Sequence, residues 1–416
     1  MQTTIAPGLA NDPQAVAAER ILRRCVHCGF CLATCPTYDL LGDELDSPRG
    51  RIYLIKQVVE GHQPTACTQL HLDRCLTCRN CETTCPSGVE YGQLLDLGRS
   101  MVEQQVGRKW SQKLIRKLLL LTLPYSGRLR PLVRVAQGLR GVLPASFAHS
   151  IPLQQTPGSW PSNEQARVML VLDGCAQSVM TPATNAATAR VLQALGVELQ
   201  RMKDTGCCGA VSFHLNEQED AKAFMRRNID AWWPAIEAGA EAIVTTASGC
   251  GVMVKDYGHL LSDDTRYASK AQRVSELAVD IVEVLKKEDL SRITANARQM
   301  GKVAFHPPCT LQHGQKLPLH TETLLTQLGF ELVPVADSHS CCGSAGTYSL
   351  LQPSLSRQLR DKKVSALTAQ QPDIIATANI GCQLHIQTGT GLAGNDIRVV
   401  HWIELIDQLL STSSPS

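Results

Sequence analysis

Two copies of one cysteine spacing constrain this chain more than any other feature of it. Cys25, Cys28, Cys31 and Cys35 are separated by two, two and three residues and followed by Pro36; Cys75, Cys78, Cys81 and Cys85 repeat the spacing and end at Pro86. This is the bacterial run that holds [4Fe–4S] clusters. Each iron of such a cluster needs a thiolate. The short gaps let one loop wrap three corners of a cube, and a distant cysteine supplies the last. Where two runs occur, the fourth cysteine of each ligates the other cluster. Two [4Fe–4S] clusters are therefore expected, one on Cys25, Cys28, Cys31 and Cys85, the other on Cys75, Cys78, Cys81 and Cys35. Structural zinc sites use cysteine and histidine pairs rather than this run. Two clusters held so close make an electron wire.

The compartment follows from the same cysteines. Seventeen cysteines in 416 residues would suit a secreted disulfide scaffold only in a much shorter chain, and metal-type spacings point to a reduced, cytoplasmic protein. The opening MQTTIAPGLANDPQ has no basic n-region and no apolar h-region, so no signal peptide is expected. No apolar run reaches the roughly 18 residues of a membrane span, so any membrane attachment would be peripheral. A formal net charge of +2 names no polyanionic partner, and no nucleic acid is expected to bind.

Residues 1–15 read as a disordered lead and 16–105 as a helical two-cluster ferredoxin domain. Within it, 16–24 have helical composition and deliver Cys25, 51–59 are apolar at helical period, and 91–105 read as a closing helix. Residues 106–164 read as a basic amphipathic connector. From 104 to 163 the chain carries nine Lys or Arg and no Asp or Glu, which leaves a formal −7 on the rest. Trp110, Leu114, Leu118 and Leu121 recur at helical spacing, bordered by Lys109, Lys113, Arg116 and Lys117. A basic amphipathic helix of this kind lies in a membrane interface or packs on a partner protein. Six prolines between 124 and 161 then break the segment into short pieces.

Beyond 165 the chain repeats itself, in units expected over 165–298 and 299–416. The first has Cys175, the pair Cys207 and Cys208, and Cys250; the second has Cys309, the pair Cys341 and Cys342, and Cys382. First cysteine to pair is 32 residues in both, and pair to last cysteine is 42 and 40. The flanks match too: RVMLVLDGC with KVAFHPPC, ATARVLQALGVEL with TETLLTQLGFEL, EAIVTTASGC with DIIATANIGC. Repetition at this level means duplication. Each unit reads strand–Cys–helix–strand–CysCysGly–helix–strand–Cys, which implies a parallel sheet. Every cysteine then falls just past the carboxyl end of a strand, where open α/β sheets place their ligands.

The four cysteines of each unit suit a further iron–sulfur cluster or a zinc ion, with a disulfide or a bare thiol cluster as the plainer alternatives. His306, His339 and His385 flank the second set; each is a candidate ligand, though a lone histidine is more often structural. Gly209 and Gly343 are expected to let the backbone pass close to a bound group. Cys67 has no motif partner and reads as a small buried hydrophobe.

Together these motifs resemble the family shared by heterodisulfide reductase subunits, the iron–sulfur subunit of anaerobic glycerol-3-phosphate dehydrogenase, and the lactate and glycolate oxidase subunits. LLGDELDSPRGRIYLIKQVVEG (40–61), HLDRCLTCRNCETTCPSGV (71–89), GCAQSVMTPATNAATARVL (174–192), NIDAWWPAIEAGAEAI (228–243), SHSCCGSAGTYSL (338–350) and TANIGCQLH (377–385) are most similar to glycolate oxidase iron–sulfur subunits. The resemblance spans 16–410 and is weakest over 106–163.

It implies an α-helical two-cluster ferredoxin domain followed by two repeated α/β CysCysGly lobes. It also implies an oxidoreductase complex. FAD-binding flavoprotein subunits of a glycolate oxidase complex would oxidise glycolate to glyoxylate. This kind of chain would pass the electrons to a quinone-level acceptor, as a peripheral protein at the cytoplasmic face of the inner membrane. No G-x-G-x-x-G follows a strand, so no flavin and no catalytic residue are expected in this chain. The heterodisulfide reductase pattern has a fifth cysteine, where Met253 and His385 stand here. That counts against a thiol–disulfide reductase, the main alternative beside an iron–sulfur subunit for lactate or glycerol-3-phosphate oxidation. A zinc scaffold without redox function is the third reading, opposed by eight intact ferredoxin ligands.

Overall fold

Short capped helices build the N-terminal part of the protein. Asp12 accepts from the Gln14 N–H and Pro13 takes the first helical position of Pro13–Arg24. Ser47 caps Pro48–Val59 through the Gly50 N–H, and Thr65 and Thr68 form a reciprocal capping box at Ala66–Asp73. The helix Tyr91–Val106 packs on all three. Ile21, Leu22, Ile55, Val59, Leu94 and Leu95 close one apolar core between them.

The structure, a computed structural model, describes residues 1–293 and 297–412; residues 294–296 and 413–416 of the two repeated units lie outside the described residues. The chain divides into two compact units. One comprises 1–118 with 214–216 and 339–359; the other comprises 119–213, 217–338 and 360 onward. The first is helical.

The second unit carries two parallel sheets. β1 (Arg167–Val171), β2 (Val197–Arg201), β3 (Ile243–Thr245) and β4 (Ala278–Asp280) form one in the order β2-β1-β3-β4. β5 (Lys302–His306), β6 (Glu331–Val333), β7 (Ile374–Thr377) and β8 (Arg398–His401) form the other as β6-β5-β7-β8. One order used twice is what duplication requires. The registers agree as well: Val171 lies opposite Val244, and His306 opposite Thr377. Val171, Leu192, Val303, Phe305, Trp402 and Ile406 belong to one buried cluster, so the two sheets share a core. The fold is thus a helical ferredoxin-type domain followed by two repeated α/β lobes. The fourth strand of each sheet, β4 and β8, is absent from the three-strand reading of the repeat.

Residues 1–15 are not a disordered lead in the structure. The Met1 ammonium donates to the Cys25 carbonyl at 2.6 Å, the Ala6 N–H donates to Val59 O at 3.0 Å, and Thr3 is buried. Met1, Ile5 and Leu9, spaced by four, pack on the helical core. Three apolar residues in a polar stretch are enough to dock it. Pro131 likewise does not break the connector, because it lies inside the helix Ser126–Leu139.

Candidate metal centres

The two ferredoxin loops fold alike. His27 and Gly29 flank Cys28 with φ of 56° and 87°, and Thr77 and Arg79 flank Cys78 with φ of 54° and 57°. A β-branched threonine in the left-handed region is strained and persists only where its surroundings over-determine it. Two such residues curl each loop so that three sulfurs turn to the same side.

Each fourth cysteine acts electrostatically on the other run. Burial pushes the Cys31 thiol up to about 11, and the charges of Cys25, Cys28 and Cys85 act in the same direction. Burial also raises Cys81, reinforced by Cys78, Cys75 and Cys35. Cys85 therefore lies with the first loop and Cys35 with the second. Cys25, Cys28, Cys31, Cys81 and Cys85 line one cleft. Thiols that raise one another in this way resist ionising as a bare set, and the positive charge of bound iron would offset the crowded thiolates.

The residues around the sulfurs fit a bound cluster. The Thr77 N–H points at Cys75 Sγ at 3.5 Å and the Tyr91 hydroxyl donates to it at 3.7 Å. The Thr37 hydroxyl lies 3.3 Å from Cys35 Sγ and receives Arg51 Nη1 at 3.1 Å. Arg51 is fully buried beside Asp46, which Arg74 also meets at 2.8 Å. Among the described residues His27 Nε2 and the Tyr348 hydroxyl are buried without a hydrogen-bond partner, which suits donors that a bound cluster would satisfy. None of these supporting residues was picked out by spacing, since they come from separate segments.

In the first repeated unit all four cysteines meet. Cys175 follows β1, Cys207 and Cys208 follow β2, and Cys250 lies in the first turn of Ser248–Lys255 after β3. Their side chains form a hydrogen-bonded chain, Cys175–Cys207–Cys208–Cys250. Cys207 is the acceptor of that chain: Cys175, then Cys208, hold its thiol well below the usual range. The Gly209 N–H adds a contact at 3.4 Å. Asn228 Nδ2 and the Tyr257 hydroxyl fix the carbonyls of Cys207 and Cys208 at 2.9 and 2.8 Å. A ready thiolate among three thiols is a set that exchanges protons for metal.

The second repeat carries its cysteines at the matching chain positions. Cys309 follows β5 and Cys382 lies in the first turn of Ile380–Leu392 after β7. Cys341 and Cys342 belong to 339–359, which groups with the helical unit, and the His339 carbonyl there accepts from Asn80 Nδ2 at 3.4 Å. His306 ends β5 fully buried, with neither ring nitrogen hydrogen-bonded among the described residues, and one of them lies within 4.8 Å of Cys382 Sγ. Gly209 and Gly343 also let the backbone pass close to the following helix. Their φ values are +94° and +88°, and a Cβ would meet Ala221 O and Ser356 O of the following helix. Cys67 is exposed, not buried; in Ala66–Asp73 the inward positions are Gln69, His71 and Leu72.

The basic segment forms the helix Trp110–Thr122, which buries no residue. Trp110 is 76% exposed, and Leu114, Leu118 and Leu121 are exposed along the same stripe. Lys109, Lys113 and Lys117 are exposed. Arg116 is not part of that face: it turns to Asp73 at 3.6 Å, beside the Arg108–Asp73 pair. Among the described residues no helix is long and apolar enough to cross a membrane.

Two ferredoxin-type cysteine runs, followed by a doubled cysteine-rich lobe, define an iron–sulfur protein of the electron-transfer class. Residues 21–89 match the 4Fe-4S dicluster domain, and 169–255 and 303–387 each match the cysteine-rich domain. The chain is 54% identical to the glycolate oxidase iron–sulfur subunit of Escherichia coli K12, over 99% of both chains. It is 32% identical to the probable glycolate oxidase iron–sulfur subunit of Bacillus subtilis 168, over 96% of both. It is also 31% identical to lactate utilization protein A of Geobacillus thermodenitrificans NG80-2, over 53% of this chain and 90% of that protein. The chain belongs to the family of glycolate oxidase iron–sulfur subunits.

Proposed function

We propose that this chain is the electron-relay subunit of a glycolate (2-hydroxy-acid) dehydrogenase, peripheral at the cytoplasmic face of the inner membrane. Glycolate becomes glyoxylate by losing two electrons and two protons. That chemistry belongs to FAD-binding flavoprotein subunits, because this chain has no dinucleotide fingerprint. The observation that carries the reading is 54% identity over 99% of the chain to a glycolate oxidase iron–sulfur subunit.

Bound clusters would supply one-electron steps between the flavin and a quinone-level acceptor. Cys25, Cys28, Cys31 and Cys85 would hold one, and Cys75, Cys78, Cys81 and Cys35 the other. The chain itself buries these sulfurs, fixes the loops and offers N–H and O–H donors to them. Cys175, Cys207, Cys208 and Cys250 would hold a further iron–sulfur cluster or a zinc ion, as would Cys309, Cys341, Cys342 and Cys382.

The test separates relay from chemistry. Purified alone, the chain should not oxidise glycolate; with its flavoprotein partner, glycolate should bleach the visible absorbance. Cys28→Ala or Cys78→Ala should stop electron flow to quinone and leave flavin reduction intact. An assembled variant that also loses flavin reduction would sink a pure relay role. Iron, sulfide and zinc analysis of anaerobic protein distinguishes the loading: about eight irons for the ferredoxin runs alone, more if the repeated sites carry iron.

A further inference from the structure

Three buried groups from distant parts of the sequence surround the second cysteine set. The Tyr91 phenol is buried, and its hydrogen bond goes to Cys75 Sγ at 3.7 Å. A neutral thiol is a weak acceptor, whereas a thiolate on iron is a strong one. The Tyr348 phenol is also buried, and its hydroxyl has no hydrogen-bond partner among the described residues. Burial pushes that phenol up, and Cys75 is the charged group that adds most to the shift, with Cys341 also contributing. Arg51, fully buried, meets Thr37 Oγ1 at 3.1 Å, and Thr37 Oγ1 lies 3.3 Å from Cys35 Sγ. Arg51 shares its carboxylate, Asp46, with Arg74. A hydroxyl buried without a partner is unfavourable, and a bound cluster would give Tyr348 an acceptor.

We propose that Tyr91 donates a hydrogen bond to Cys75 Sγ, that Tyr348 donates its unpartnered hydroxyl to the same bound cluster, and that the two, with Arg51, raise the reduction potential of that second cluster. This rests on the reading that Cys35, Cys75, Cys78 and Cys81 hold a [4Fe–4S] cluster. One electron, delivered from the flavoprotein side, adds one negative charge to the cluster. Hydrogen bonds to the sulfurs and a buried cation stabilise that charge more than the oxidised form. Tyr348 belongs to 339–359, the segment that carries Cys341 and Cys342. The second repeat therefore contributes a positioning residue to the ferredoxin site.

The experiment uses the full chain, purified anaerobically, as parent, Tyr91→Phe, Tyr348→Phe and the double variant. Each is titrated potentiometrically with electron paramagnetic resonance detection. One cluster's midpoint should move to lower potential in each single variant and further in the double variant, while the other cluster's stays in place and iron content is unchanged. Parental midpoints for both clusters in fully loaded variants would overturn the proposal. If Tyr91→Phe fails to load, Tyr348→Phe, which loses only an unpartnered hydroxyl, decides alone. Failure of the underlying reading has its own signature: Cys78→Ala would then remove no cluster signal.

Discussion

Gly343 shows what a single atom costs in this fold. Its φ is +88°, and a Cβ would stand 2.6 Å from the Ser356 carbonyl oxygen, a backbone atom that cannot swing aside. Gly209 has φ +94° but leaves 3.0 Å to Ala221 O. Both glycine-to-alanine changes should cost more than about 1 kcal/mol, with Gly343→Ala the worse; thermal unfolding of the two variants ranks them. Asp280 poses a different question. It ends β4, accepts from the Val282 N–H and starts the helix Ile281–Leu285. Burial raises its carboxyl to about 7, against about 3.9 in an unfolded chain. The folded state therefore holds a proton that the unfolded state releases. That contribution is complete below about pH 4 and is lost as pH rises through about 7, a difference of roughly 4 kcal/mol. Asn keeps the capping oxygen without the charge. Asp280→Asn should flatten the fall of Tm between about pH 4 and 7; an unchanged slope would show that Asp280 does not set it.

At the scale of elements, the amphipathic helix Trp110–Thr122 carries the membrane reading, now on three cations rather than four. Lys109, Lys113 and Lys117 remain exposed while Arg116 faces Asp73. A cation near an anionic surface is worth roughly 1 kcal/mol, so changing the three lysines to Gln should weaken vesicle binding by about a hundredfold. Co-sedimentation of the assembled complex with anionic vesicles measures it. A variant that stays on the vesicles but loses its flavoprotein in a pull-down would assign the face to the partner instead. The elements differ in how plainly the sequence announced them. β1, β3, β5 and β7 are apolar runs leading into cysteines, and the glycine stops at Gly196 and Gly329 mark where β2 and β6 begin. β4 and β8 are three and four residues long and run straight into helices, so local pattern merges each strand with its helix. Arg116 looked free because helical spacing places it on the stripe's border; only the tertiary pairing with Asp73 turns it inward.

For the whole molecule, the repeated spacing points to the candidate metal ligands, but the groups that surround them are hidden from it. Cysteines at fixed intervals are a local signal. Thr37, Arg51, Tyr91 and Tyr348 reach the second cysteine set from four separated segments, a placement that only the folded chain defines. The duplication is legible for the same local reason, since flanks and intervals both recur. The proposed exchange of fourth ligands is the sharpest consequence at this scale, because it would tie the two runs into one object. Cys85 lies with Cys25, Cys28 and Cys31, and Cys35 with Cys75, Cys78 and Cys81. Cys35→Ala should then erase the same paramagnetic signal as Cys78→Ala, and Cys85→Ala the same as Cys28→Ala, each with a loss of about four irons. Had each run kept its own fourth cysteine, the pairing of signals would be reversed: Cys35→Ala would match Cys28→Ala. One spectrum per variant, with iron analysis alongside, decides between the two connectivities.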